Sequence, residues 1–150
     1  MDDTDLRILR CLQEQPSIAI SDLADQVGLS HTPCWRRVKR LESDGIIRGR
    51  AMLLDAEALG LPINVFAEIK IKSHDEETVA AFEQAVSEHA EIVECFSMSG
   101  ESDFLVRVVA GSVAGYEVFL KRILLHLPSV GSVNSRFALN ALKVTNKLPI

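Results

Sequence analysis

The sequence predicts an α+β protein built from two small domains, and three observations carry that expectation. Apolar residues recur at helical spacing from Leu6 to Leu41 and alternate from Val65 onward, so the hydrophobic period changes once along the chain. Basic residues concentrate at the end of the helical stretch, where Cys34 to Arg50 holds Arg36, Arg37, Lys39, Arg40, Arg48 and Arg50 against Glu42 and Asp44, a net +4. After Val65 the elements run strand, helix, strand, strand, helix, strand, which is the split βαβ or ferredoxin-like order. The helical stretch reads as a winged helix-turn-helix over residues 1–50. A linker over 51–62 and a ferredoxin-like βαββαβ domain over 63–150 complete the organisation.

The first helix is expected from about Asp3 to Gln15, with Leu6, Leu9 and Leu12 on one face and acidic residues at the positive end of its dipole. Pro16 closes it. The second runs from Ile20 to Val27 and buries Leu23, Ala24 and Val27, while Gly28 supplies a permissive backbone at its C-terminus. Ser30 then reads as the N-cap of a third helix, because its hydroxyl can satisfy an amide of the first turn and Pro33 is tolerated there. Cys34, Val38 and Leu41 make one narrow apolar stripe, which turns Arg36, Lys39 and Arg40 toward solvent. Gly45 ends this helix, and Ile46 to Arg50 reads as the start of a short hairpin or wing.

In the second domain a strand from Val65 places Val65, Ala67, Ile69 and Ile71 on one face and Glu68, Lys70 and Lys72 on the other. A helix from about Glu76 to Glu88 follows, then strands over Ile92–Met98 and Phe104–Ala110 joined at Gly100-Glu101-Ser102-Asp103. A second helix is expected over Ala114–Leu127 and a last strand over Val133–Leu142. Helices cover one face of the sheet. The other stays apolar, with Phe96, Met98, Phe104, Val106 and Val108 lying opposite Cys95, Leu105 and Val109, so a second copy of the chain is expected to cover it.

With 47% hydrophobic and 25% charged residues, the 150-residue chain can bury a core and does not have a disordered composition. No run approaches a membrane span and the first residues are acidic, unlike a signal peptide, so a cytoplasmic protein with no membrane association is expected. Cys11, Cys34 and Cys95 are odd in number, lack C-x-x-C spacing and sit in apolar patterns, which reads as buried thiols and not as disulfides or a zinc site. The formal net charge of −5 falls entirely on residues 51–150, because the first fifty residues balance. His31, His74, His89 and His126 form no metal-binding or acid–base pattern, so no metal, cofactor or catalytic set is expected.

The third helix is the most informative element. A helix preceded by Gly28-Leu29-Ser30 and basic on its exposed face can enter the major groove of double-stranded DNA, set its N-terminal residues against base edges and its arginines against phosphates. His31, Thr32, Trp35 and Arg36 are the base-reading candidates at its start, and Ser30, Arg37, Lys39, Arg40, Arg48 and Arg50 complete the expected DNA-binding set. Trp35 could equally pack between helices. The alternative is a plain three-helix bundle with a solvated charged face.

From Ser30-His31-Thr32-Pro33-Cys34-Trp35-Arg36-Arg37-Val38-Lys39-Arg40-Leu41-Glu42, with Gly45-Ile46-Ile47 after it, the chain resembles the Lrp/AsnC family of feast/famine regulators. Asp5-Leu6-Arg7-Ile8-Leu9, Ser99-Gly100-Glu101-Ser102-Asp103-Phe104 and Leu127-Pro128-Ser129-Val130 extend the likeness over nearly the whole chain. Two positions depart from it: Arg50 stands where an aromatic often closes the wing, and Ala19 where a capping residue often opens the second helix.

The resemblance implies a transcription regulator with an effector-sensing second domain, assembled as dimers and often as tetramers of dimers (octamers), with amino acids as common effectors. By the same resemblance Ser99, Gly100, Glu101 and Asp103 form an effector loop, Asp103 pairs with a ligand ammonium, and Ser135 adds a hydroxyl nearby. Read without it, a glycine-containing turn between two strands is only a turn. Two further alternatives stay open: a sirohaem-type tetrapyrrole decarboxylase of similar architecture, and an effector-binding scaffold whose DNA-binding domain is vestigial.

Overall fold

The computed structural model describes residues 1–150, and the chain separates into two units, Met1–Leu53 with Lys143–Ile150, and Leu54–Leu142. The eight C-terminal residues therefore cluster with the first unit, although the sequence pattern grouped them with the second. Polar contacts explain this: Arg10 Nε donates to the Ile150 carbonyl at 2.8 Å, and Lys147 pairs with Glu14 at 2.6 Å.

The first unit is three helices, α1 (Asp3–Glu14), α2 (Ile20–Val27) and α3 (His31–Ser43). Asp2 caps α1 through a capping box, its carboxylate accepting from the Asp5 amide at 2.9 Å while Asp5 accepts from the Asp2 amide at 3.0 Å. Ala19 opens α2 with no side-chain cap, and Gly28 closes it in the left-handed region at φ 70°. Ser30 precedes α3, but its hydroxyl makes no capping bond; only its carbonyl takes part, accepting from the Cys34 amide. Ile8, Leu23, Ala24, Val27, Cys34, Val38 and Leu41 form the core.

No strand forms at Ile46–Arg50, where a hairpin was expected. Gly45 takes φ 72°, and the Ile46 and Ile47 amides both turn back onto the Leu41 carbonyl at 3.0 Å, so these groups terminate α3 instead of entering a ladder.

The second unit is a four-stranded antiparallel sheet in the order β2-β3-β1-β4, made of β1 (Ile63–Ile71), β2 (Ile92–Ser97), β3 (Phe104–Ala110) and β4 (Val130–Phe137). Helices α4 (Glu76–Ser87) and α5 (Val113–Arg122) pack on one face, over Val65, Ala67, Ile69, Phe104, Val106 and Val108. Phe82 stacks on Phe104 with ring centroids 4.4 Å apart. Asp75 and Ser112 cap the two helices with their side chains. Beyond Arg122 the chain tightens into a 3-10 turn over Leu124–His126, so α5 is shorter than its apolar spacing suggested.

β4 lies earlier than expected because its partner decides where it can pair. Val65 faces Phe137 and Ile71 faces Val130, and past Ala138, whose amide reaches the Asn64 carbonyl, no strand is left beside it. Leu139 is accordingly 99% exposed.

The predicted division of β2 and β3 between faces is corrected. Phe96 pairs with Leu105 and Cys95 with Val106, so Phe96 lies with Leu105 and Val109 on the open face, opposite Phe104, Val106 and Val108. A bulge at Val93, between Ile92 and Glu94, sets this phase. Cys95 is exposed even though it shares the helix-covered face with Val106, Cys11 is half-buried and Cys34 buried, so only one of the three thiols meets the expectation of burial. No helix is long and apolar enough to cross a membrane.

Candidate DNA-reading surface and effector loop

Helix α3 buries Cys34, Val38 and Leu41 against α1 and α2, which leaves His31, Thr32, Trp35, Arg36, Lys39 and Arg40 on exposed positions. Trp35 is 45% exposed, and the choice between core and surface is settled for the surface. The basic residues then divide into two groups. Arg37 Nη1 reaches Asp2 at 2.7 Å and Asp5 at 2.8 Å, and Arg40 Nη2 reaches Asp5 at 2.6 Å. Lys39 pairs with Glu42 at the surface. Arg36, Arg48 and Arg50 are exposed outside these pairs, and Arg48 and Arg50 flank a shallow concavity completed by Glu42, Ile47 and Gly49.

Asp5 is the one buried charged residue of the chain, at 1% exposure. Burial pushes its carboxyl upward, but the Asp2 amide, the Arg37 guanidinium and the nearby Arg40 charge outweigh that and hold it below the ordinary carboxylate range. The hydrogen bond from Arg37 brings Asp2 down to about 2. In the sequence Asp5 stands among the acidic residues near a helix start and opens the family motif Asp5-Leu6-Arg7-Ile8-Leu9, with no sign of its arginine partners. Its spacing from α3 gives no signal, because a pair about thirty residues apart is visible only once Asp5 meets Arg37 and Arg40 in the folded chain.

In the second unit the loop Ser99–Asp103 lies at one end of the sheet, and Asp103 is closed onto its own chain. Its Oδ2 accepts from the Ile71 amide at 2.8 Å, its Oδ1 lies 2.7 Å from His74 Nε2, and its amide donates to the Ile69 carbonyl. The His74 contact, with the Ile71 amide next, holds the Asp103 carboxyl below its ordinary range. His74 is thus a partner of this loop.

Glu101 and Ser102 instead line a pocket of about 170 Å³ with Glu68, Lys70, Ser132 and Asn134. Ser135 is not part of it. Ser135 is in register with Ala67, on the helix-covered face, where its hydroxyl meets that of Tyr116. Lys70, Ser132 and Asn134 escaped sequence reading because only the β1–β4 register brings them beside Glu101.

A family model described as the Lrp/AsnC ligand binding domain matches residues 64–148, and one described as a winged helix-turn-helix DNA-binding domain matches residues 1–48. The chain belongs to the Lrp/AsnC family. Over its full length this Lrp/AsnC chain is 39% identical to the DNA-binding transcriptional activator DecR of Escherichia coli strain K12, covering 99% of that protein. It is 44% identical to an AsnC family transcriptional regulator from Agrobacterium tumefaciens of solved structure, with a TM-score of 0.93 over 99% of this chain and 97% of that one. A Neisseria meningitidis transcriptional regulator solved as a complex with L-Met is 33% identical, with the same TM-score, over 99% of this chain and 96% of that one. The ferredoxin-like α+β architecture with an N-terminal winged helix-turn-helix is thereby established, and the Lrp/AsnC chain is a DNA-binding transcription regulator and not an enzyme. The decarboxylase alternative is set aside on the same finding.

Proposed function

We propose that this regulator acts in the cytoplasm as a homodimer that reads DNA through α3 and changes its DNA affinity or assembly when a small amino acid binds at the Ser99–Asp103 loop. The observation that carries the reading is the exposed face of α3. There Ser30, His31 and Thr32 stand at the N-terminal end and Trp35, Arg36 and Lys39 follow, with Arg48 and Arg50 just beyond. Base edges are met by the N-terminal residues and phosphates by the cations. Arg37 and Arg40 are left out of the contact set because Asp5 and Asp2 already neutralise them.

Dimerisation is supported by the open sheet face, where Phe66, Phe96, Leu105 and Val109 remain without helical cover beside the Arg107–Glu94 and Arg136–Glu68 pairs. A second copy can cover these residues around a two-fold axis. The operator is then an imperfect palindrome with half-sites about one helical turn, or a multiple of it, apart.

For the effector, the pocket beside the loop offers Glu101 to an ammonium and Lys70 to a carboxylate, with Ser102, Ser132 and Asn134 as neutral partners. Asp103, assigned by resemblance to the ammonium, serves in this reading to shape the loop. That the Neisseria meningitidis relative was solved with L-Met supports an amino acid as the ligand class. Selection of binding sites from genomic DNA, with and without each amino acid, tests the whole reading. A failure to enrich any palindromic site, or enrichment indifferent to every amino acid, refutes its DNA or its effector half respectively.

A further inference from the structure

Asp5 presents an arrangement that DNA binding does not require. A buried carboxylate accepts from two guanidinium groups, Arg37 at 2.8 Å and Arg40 at 2.6 Å, and Asp2 adds a second acceptor for Arg37 at 2.7 Å. These are charge-assisted contacts of the length that arginine also makes to phosphate oxygens. Arg40 lies one helical turn from Arg36, on the same flank of α3, and half of its side chain is exposed. It is placed where a DNA phosphate could reach it, yet its charge is already answered from within.

We propose that Asp5, assisted by Asp2, is a specificity-determining residue that substitutes for DNA phosphate, withholding Arg40 and Arg37 from the DNA backbone and restraining sequence-independent binding. Non-specific affinity comes almost wholly from phosphates neutralised by Lys and Arg, so each cation withheld lowers retention on bulk duplex. Arg36, Arg48 and Arg50, outside the Asp5 cluster, keep the contacts that position the helix. A purely structural Asp5 that only ties α1 to α3 has the opposite consequence, because loosening the helix pair can only weaken binding.

The two roles separate on a random-sequence duplex. Asp5→Asn keeps the size of the side chain and an acceptor for the Asp2 amide but removes the charge. The full chain carrying it should bind such a duplex on the order of tenfold more tightly near 50 mM salt for each arginine released, with the log K against log salt slope steeper by about 0.9. The double variant Asp5→Asn/Arg40→Gln should fall back toward wild type. Arg40→Gln alone should leave the wild-type slope unchanged, and this arm decides the matter if Asp5→Asn does not melt cooperatively. A folded Asp5→Asn protein with an unchanged or shallower slope overturns the proposal. So does a slope reduced by about 0.9 in Arg40→Gln.

Discussion

Replacing Arg36, Arg48 and Arg50 together by alanine removes three exposed guanidinium groups that the Asp2 and Asp5 ion pairs, which take up Arg37 and Arg40, leave outside them. With a slope of about −0.9 per phosphate contact, three contacts on one reading head contribute about −2.7 to the dependence of log K on log salt. Between roughly 50 and 200 mM salt, wild type should therefore lose about forty-fold more affinity than the variant, and a dimer with both heads engaged should show twice that change in slope. Fluorescence anisotropy of a labelled duplex across a salt series reads this directly. Side chains this exposed contribute little to folding, so the thermal melt should be nearly unchanged. An unchanged slope in a normally folded variant would refute docking through this surface, and a loss of affinity with the slope preserved would mean that these arginines read bases without neutralising phosphates.

Four further outcomes are expected. Phe96→Asp, on a side chain 53% exposed on the open sheet face, should shift the full chain from dimer to monomer in sedimentation without lowering the monomer's melting temperature by more than a few degrees; a dimer that persists argues against that interface. Glu101→Gln should weaken calorimetric binding of an amino-acid effector more than Asp103→Asn does, and the reverse order would restore the ammonium to Asp103. Asp2 is held at about 2 and Asp5 also below its ordinary range when folded, so their stabilisation is present above about pH 4 and is lost as pH falls through their lowered folded values. Fluorescence of Trp35, the sole tryptophan, should report this acid loss in the first unit, and Arg37→Gln should flatten it. Phe82→Ala, at a fully buried ring stacked on Phe104, should cost about 3 to 5 kcal/mol in denaturant unfolding, and a cost under about 1 kcal/mol would contradict the packing described.

The amino-acid sequence by itself determined whatever depends on neighbours within a few residues. The 3.6-residue period placed α1, α2 and α3 to within a residue, and alternation located β1 and β3, because each pattern records which side of an element faces the core. The basic character of α3 was equally legible, as was the family likeness carried by the motif from Ser30 to Glu42. Tertiary structure decided what depends on partners distant along the chain. Only the pairing of β2 with β3 through the bulge at Val93 sent Phe96 to the open face, since a one-residue slip exchanges the two faces of a strand. Only the extent of β1 set where β4 begins and ends. The meeting of α1 and α3 sorted the arginines into two bound by Asp5 and others outside that cluster, and the β1–β4 register gathered Lys70, Ser132 and Asn134 beside Glu101 while turning Ser135 away. Charge and period are read one residue at a time, whereas the partner that answers a charge is fixed only when separate elements meet.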